Sequence, residues 1–261
     1  MNAHRSPASR IWLWLMLAVV LVPMIATLVV ATSVSFTSGP YTGGVTLDWM
    51  VLGFELLSPT LLRSALVGVA VAGINLAVGG PLAWWSSRSR SRAARAVGYL
   101  ATVPLAVPGI AISVALIGAY AELRPSGALL LIGHVVFTLP FTLAALVPVL
   151  ASDRLLECEQ VAETLGASRA RQVLTITIPW CLVAIVQAAA MSYALSYGEF
   201  NISFFVNAPA SPTAPFALFD AYQTRRLELA SAMSMWFIVS LLPAFAVLIA
   251  LRARMHERSP A

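Results

Sequence analysis

The chain has few charged residues and no lysine. Only 10% of its 261 residues are charged, and all sixteen basic residues are arginine. Histidine and cysteine are also scarce, and two of the three histidines, His4 and His256, lie in the terminal tails. These residues form no zinc pattern and no intramembrane metalloenzyme motif such as H-E-x-x-H. The phosphate-binding pattern G-x-x-x-x-G-K-[ST] is absent as well, so any nucleotide would have to be bound by another chain.

Apolar residues dominate instead. They make up 59% of the chain, and the mean hydropathy is +0.85, unlike a soluble globular domain. A bilayer core of about 30 Å is crossed by roughly 20 helical residues. Six runs are long enough, at about 11–32, 60–85, 97–120, 127–150, 180–206 and 228–251. Because lipid offers no partners to backbone N–H and C=O groups, these runs predict helices. The sequence therefore predicts one all-α, polytopic membrane domain over residues 1–261, with six transmembrane helices.

The arginines are distributed unevenly between alternate loops. Twelve fall on one side of the predicted spans and four on the other. Because positive residues collect on the cytoplasmic side, both termini and the segment 152–179 are predicted to lie in the cytoplasm. Cys158 and Cys181 lie toward that side, where a disulfide is not expected. The run RSRSRAAR, Arg88 to Arg95, is interpreted as a topology anchor near anionic lipid, and nucleic-acid binding is not supported.

The segment 152–179 differs from the other loops because it has helical periodicity. Four apolar residues recur at the spacing of one helical face: Cys158, Val161, Ala162 and Leu165. Gly166 stands where a helix ends in a left-handed residue, and Ser168 is placed to cap a second short helix through Leu174. The segment therefore predicts a helix, a glycine turn and a second helix. The alternative is a solvated connection whose amphipathic helix rests on lipid headgroups.

The residues around the glycine have a fixed frame. Gly166 is followed after nine residues by Ile176 and then by Ile178-Pro179, and an acidic cluster precedes it. This frame, between the fourth and fifth of six spans, resembles the EAA loop of permease subunits of bacterial ABC importers. In that family the helix before the glycine, the coupling helix, docks into a cleft on a cytoplasmic ATPase subunit. The family glutamate corresponds here to Gln160, with Glu159 one position away. By this resemblance, the residues expected to couple to the ATPase are Glu159, Gln160, Ala162, Glu163, Gly166, Ala167 and Arg169.

Further segments are similar to the polyamine, ferric-ion and phosphonate branch of these permeases. They are SFTSGPYTGGVTLDW (Ser35 to Trp49), PLAVPG (Pro104 to Gly109) and SYGEFNISFFV (Ser196 to Val206). The resemblance implies the type I ABC importer permease fold and a location in the bacterial inner membrane. It also implies three partners: a second permease subunit, an ATPase dimer carrying ATP and Mg²⁺, and a periplasmic or lipid-anchored substrate-binding protein. This chain would bind no cofactor itself and would not be an enzyme.

Polar residues inside apolar spans are costly and often functional. Glu199 and Asn201, after Gly198 in the fifth span, and Asn75 in the second are candidates for the substrate pathway. For Asn75 an interhelical hydrogen bond is the favoured alternative, as a structural role is for His134. Glu199 has the alternative of pairing with an arginine.

The predicted function is that of a permease subunit that forms the substrate pathway and is coupled to the ATPase through 152–179. A carboxylate at Glu199 in the pathway would favour a cation, so a polyamine is the expected cargo, with phosphonate or ferric ion as alternatives. A different class, the ion-coupled secondary transporter, requires buried carboxylates near the membrane midplane or broken helices in inverted repeats. Glu199 alone supports it weakly.

Overall fold

The computed structural model describes residues 7–96, 99, 107–208 and 211–257. Helix follows helix along these residues, and the only β pairing among them is an isolated bridge between Ser33 and Val45. The all-α prediction is confirmed. Five of the described helices are long and apolar enough to cross a membrane.

The first two long helices are α1, Pro7–Ala31, and α2, Asp48–Arg88. Most side chains of α1 are exposed, with Trp12 at 63% and Trp14 at 70%, as expected of a surface that lies in lipid. The 41 residues of α2 span roughly 60 Å, about twice the hydrocarbon core. Residues 33–59, which separate the first two predicted spans, are therefore helical from Asp48 onward. Asp48 suits the first turn of a helix, and its N–H donates to Thr46 Oγ1 at 3.1 Å.

The third predicted span, 97–120, lies partly outside the described residues. Its second half forms α3, Gly109–Tyr120, which a short 3₁₀ turn extends to Leu123. The fourth span agrees closely with the prediction: α4 covers Ala128–Leu150. Gly127 begins it with φ +77°, a left-handed conformation that glycine adopts without strain.

The remaining helices follow the loop between the fourth and fifth spans. They are α5 (Asp153–Thr164), α6 (Arg169–Gln172), α7 (Ile178–Tyr197), α8 (Asn201–Val206), α9 (Ala214–Thr224) and α10 (Leu227–Glu257). The fifth span, predicted as unbroken over 180–206, is interrupted between Tyr197 and Asn201. Gly198 ends α7, and Glu199 takes part in starting α8.

The chain forms two compact units, whose boundary along the sequence falls within α2. The first unit comprises Met1–Leu61 and Ala217–Leu242. Within it, the buried Glu228 carboxylate accepts the N–H of Phe36 at 2.7 Å, and Trp236 Nε1 donates to Met50 O at 2.8 Å. These bonds join the segment between α1 and α2, and the start of α2, to the first half of α10.

The second unit comprises Leu62–Phe216 and Pro243–Ala261, and it holds the predicted site residues. Helix α4 packs along α7, and α3 packs against α8. Small residues allow close approach: a Cβ at Gly133 would lie 2.7 Å from Ile202 Cγ2, and one at Gly68 would lie 2.9 Å from Tyr193 Cδ2. Close packing at small residues is how helices associate in lipid, where burial supplies little driving force.

Candidate functional site

Helix α5, the predicted coupling helix, ends in a complete glycine turn. Gly166 has φ +81°, its N–H donates to Glu163 O at 2.9 Å, and the N–H of Ala167 donates to Ala162 O at 2.9 Å. These two bonds form a Schellman motif, which satisfies the last carbonyl groups of the helix and reverses the chain. The predicted helix end at Gly166 is confirmed. Ala162 and Ala167 take part in the turn through their backbones.

The buried face of α5 is not the one that the apolar spacing predicted. Leu155 is fully buried and Glu159 is largely buried, whereas Val161 and Leu165 are 59% and 82% exposed. Of the four predicted apolar residues, only Ala162 is half-buried, and Cys158 is exposed. The helix therefore turns a carboxylate toward the protein and leaves two large apolar side chains at its free end.

Glu159 is held by two neighbouring segments. The guanidinium of Arg88, at the end of α2, donates to it bidentately, with Nη2 at 2.5 Å from Oε1 and Nε at 3.2 Å from Oε2. Thr177 Oγ1 donates to Glu159 Oε1 at 2.6 Å, and only 4% of Thr177 is exposed. Bidentate arginine–carboxylate pairs fix orientation as well as distance. The pair thus joins α5 to the end of the second span and the beginning of the fifth.

Arg88 is positioned by further contacts of its own. Its guanidinium carbon lies 4.9 Å from the centre of the Trp84 ring, and Nη1 donates to Ser87 Oγ at 3.0 Å. Arg88 was predicted only as a topology anchor. No local pattern in the sequence links it to Glu159, 71 residues away.

After the turn, the chain runs without a break into the fifth span. Ser168 caps α6 as predicted, accepting the N–H of Arg171 at 3.4 Å. The predicted end of the second helix near Leu174 is wrong. A π-helical turn, Val173–Thr177, continues directly into α7, with the Ile178 N–H bonded to Val173 O. The wide turn lies just before Pro179, whose ring excludes an ordinary helical bond at that point.

The other predicted coupling residues line or border a polar pocket beside the loop. Gln160, Glu163 and Arg169 are exposed at its edge, with Gln172 between them. The pocket has a volume of about 280 Å³, and the paired Arg88 and Glu159 form part of its wall. Glu159 thus faces the protein, whereas its neighbours Gln160 and Glu163 face outward.

The second group of predicted residues lies deep inside the second unit. Glu199 is 6% exposed, and its carboxylate accepts the N–H groups of Ile202 at 2.7 Å and Ser203 at 3.1 Å. This is the bonding of a helix cap, and it satisfies donors at the start of α8 that would otherwise lack partners in the membrane. The other neighbour of the carboxylate is His134 Nε2 at 3.9 Å.

His134 connects the two halves of the interrupted fifth span. Its Nδ1 lies 2.8 Å from Ser196 Oγ in α7, and its Nε2 lies 3.1 Å from Ser203 Oγ in α8. The ring is 1% exposed. These contacts agree with the structural role favoured for this histidine, because α4 holds both helix segments through one side chain.

Asn75 takes part in an interhelical hydrogen-bond cluster. Its Nδ2 donates to Thr138 Oγ1 at 2.6 Å and to Ser192 Oγ at 3.3 Å, and Thr142 Oγ1 lies 2.8 Å from Ser192 Oγ. Asn75 is fully buried. Asn75 therefore makes interhelical hydrogen bonds, the role that the sequence favoured over a contact with the substrate. Asn201, by contrast, is exposed, and its side chain is not part of either cluster.

The fold and the loop describe a multi-pass, all-helical membrane protein with a short anchored helix between two spans. No family model matches the chain. The Molybdenum transport system permease protein ModB of Azotobacter vinelandii is 29% identical over 144 residues, 49% of this chain and 62% of that protein. ModB of Escherichia coli (strain K12) is 42% identical over 69 residues, 25% of this chain and 30% of that protein. The "Putative 2-aminoethylphosphonate transport system permease protein PhnV" of Salmonella paratyphi A is 30% identical over 122 residues, 45% of this chain and 46% of that protein.

The chain thus matches less than two thirds of the length of these relatives. All three relatives are named permease proteins of transport systems, which agrees with the predicted resemblance to transport permeases. The five long apolar helices agree with a multi-pass membrane protein. A polyamine cargo is not confirmed. The names of the relatives refer instead to the transport of molybdenum and of 2-aminoethylphosphonate.

Proposed function

We propose that this chain is the permease subunit of a binding-protein-dependent ABC importer and that α5 is its docking element for the ATPase. It would act with a second permease subunit, an ATPase dimer that carries ATP and Mg²⁺, and an external substrate-binding protein. The observation that carries this proposal is a helix anchored at its middle, by Glu159, with exposed apolar side chains toward its C-terminal end, at Val161 and Leu165.

The anchoring supports a mechanical role. A helix of 12 residues is roughly 18 Å long, and here one face is tied to the end of α2 by the Arg88–Glu159 pair. Its far end turns at Gly166 and runs through the π-turn into α7. A displacement of α5 by a partner would therefore act on the second and fifth spans together, since both are joined to it by hydrogen bonds or by continuous helix.

The exposed end supports docking. Leu165 is 82% exposed, and burying such a side chain against a partner contributes roughly 1.5–3 kcal/mol. Gln160, Glu163 and Arg169 are exposed in the same segment and would supply the polar groups typical of the rim of a protein interface. Gly166 has no other atom within 4 Å of the position of a Cβ, so a partner surface has room to approach the turn.

For the cargo, we propose an oxyanion such as molybdate or a phosphonate. The expectation of a cation depended on a Glu199 carboxylate that faces the pathway. That carboxylate is instead buried and accepts two backbone N–H groups at the start of α8, so the reason for preferring a cation is lost. The names of the relatives, which refer to molybdenum and 2-aminoethylphosphonate, favour the same choice.

The test is reconstitution of the complex in liposomes with its ATPase and binding protein. Molybdate, 2-aminoethylphosphonate, ferric ion, putrescine and spermidine are added in turn, and ATP hydrolysis and cargo uptake are measured. We expect an oxyanion to stimulate hydrolysis and the amines to have no effect. Stimulation by an amine alone would contradict the cargo proposal. Uptake that needs an ion gradient and no ATP would contradict the importer and support the secondary transporter.

A further inference from the structure

A cleft of about 420 Å³ opens between the second, fourth and fifth spans near the coupling loop. Its lining is almost wholly apolar and includes Leu76, Gly80, Leu146, Cys181 and Ile185. From Trp84 to Leu76 is eight residues of helix, so the cleft extends roughly 12 Å from the loop toward the membrane interior. In a membrane protein, a cleft of this chemistry at this depth is suited to an acyl chain.

The apolar cleft adjoins the polar pocket of the loop. The two share Trp84, Val173 and Thr177 in their walls. Tryptophan is typical of the membrane–water interface, and Trp84 marks that level at the seam between them. Its Nε1 is buried and has no hydrogen-bond partner among the described residues. A buried N–H donor without a partner is costly, and an acceptor at this seam would relieve that cost.

The charges of the polar pocket are balanced. Arg88 and Glu159 neutralise each other as a bidentate pair. This leaves Arg169 and Glu163 in the same wall, and neither has an ion-pair partner within 4.0 Å in the part of the chain that the structure describes. One free guanidinium and one free carboxylate match a group that carries one negative and one positive charge.

We propose that this composite site binds a zwitterionic phospholipid with a primary amine, of the phosphatidylethanolamine type. One acyl chain lies in the apolar cleft, and an ester carbonyl of the lipid accepts the Trp84 Nε1 hydrogen. Arg169 binds the phosphate and Glu163 binds the ammonium group. The lipid thus sits against both the π-turn and one side of α5, where it would stiffen the loop.

The test is native mass spectrometry of the purified full-length chain, titrated with lipids of matched acyl chains. Phosphatidylethanolamine should bind about fivefold more tightly than phosphatidylglycerol or phosphatidylcholine, the difference expected of one partly exposed ion pair. Phosphatidylglycerol lacks the cation, and the quaternary amine of phosphatidylcholine has no N–H to donate. Glu163→Gln should remove this preference, and Arg169→Gln should weaken binding of all three lipids.

Two further variants complete the design. Arg171→Gln changes an exposed arginine on the same turn that does not line the pocket, and it should leave lipid binding unchanged. Ile185→Trp should fill the apolar cleft and lower the affinity for every lipid. If Ile185→Trp does not fold, the two exposed charge variants still decide. Equal affinity of the wild type for the three lipids, or equal effects of Arg169→Gln and Arg171→Gln, would overturn the proposal. The assay reads lipid binding and not transport, so its outcome is independent of the importer role.

Discussion

Arg88 and Glu159 form a bidentate ion pair that joins the end of α2 to the middle of α5. The side chains are 18% and 14% exposed, so the pair is shielded but not fully desolvated. Hydrogen bonds to charged groups in such settings contribute roughly 1.5–3 kcal/mol. The pair therefore stabilises the loop while fixing the direction in which α5 leaves the membrane.

The first prediction concerns this pair. Glu159→Gln should lower the thermal stability of the purified chain, by about 1.5–3 kcal/mol, because the Arg88 guanidinium loses its charged partner. It should also weaken the response of ATP hydrolysis to loaded binding protein. Glu157→Gln, which changes an exposed carboxylate on the same helix, is the control and should affect neither. Equal effects of the two substitutions would show that Glu159 acts only as one surface charge among others.

Gly166 provides the second prediction. Gly166→Val should cost about 1–2 kcal/mol, because a β-branched residue resists φ +81°. Since nothing lies within 4 Å of a new Cβ there, the effect comes from the backbone and not from a clash. Gly166→Asn tolerates the left-handed conformation and should retain coupling of ATP hydrolysis to cargo uptake. Normal transport by Gly166→Val would mean that the loop is a solvated connector.

Local signals predicted the parts of the loop that depend on local geometry. Gly166 was identifiable because a left-handed helix end favours glycine, and Ser168 because a serine hydroxyl accepts a free N–H. The inward face of α5 was missed because Glu159, a polar residue, occupies it, and its partner Arg88 is distant in the sequence. The break at Gly198–Phe200 was missed for a similar reason: the run 180–206 is continuous in hydropathy, and the capping by Glu199 is a contact that periodicity does not encode.

The third prediction tests docking at the apolar end of α5. Leu165→Glu should reduce the amount of ATPase that co-purifies with the chain by about tenfold, the loss expected when a buried leucine contact is replaced by a charge. The isolated chain should keep its stability, because Leu165 is 82% exposed. Leu174→Glu, at another exposed leucine of the same loop, is the matched control. If both variants retain the ATPase, the docking surface lies elsewhere.

Gln160 gives a fourth prediction. Gln160→Glu introduces the charge that the resemblance to the EAA loop implies at this position, and the side chain is exposed, so no burial cost arises. Assembly and coupled ATP hydrolysis should remain within about fivefold of the wild type, because an exposed charge contributes at most about 1 kcal/mol. Loss of assembly with unchanged chain stability would indicate that the partner's cleft has adapted to the neutral amide.

The last prediction concerns orientation, which follows from the arginine asymmetry of twelve against four. Positive residues collect in cytoplasmic loops, so the coupling loop should face the cytoplasm and the segment around Ser211 should face outward. Single cysteines at Ser168 and Ser211, in a background in which Cys158 and Cys181 are replaced by alanine, are labelled on intact cells with a membrane-impermeant thiol reagent. Ser211→Cys should react, and Ser168→Cys should react only after the membrane is permeabilised. The permeabilised sample is the control for accessibility, because Ser168 is exposed and Ser211 is half-buried. The opposite labelling pattern would place α5 outside the cell, where the cytoplasmic ATPase could not reach Leu165. It would overturn both the topology and the coupling role.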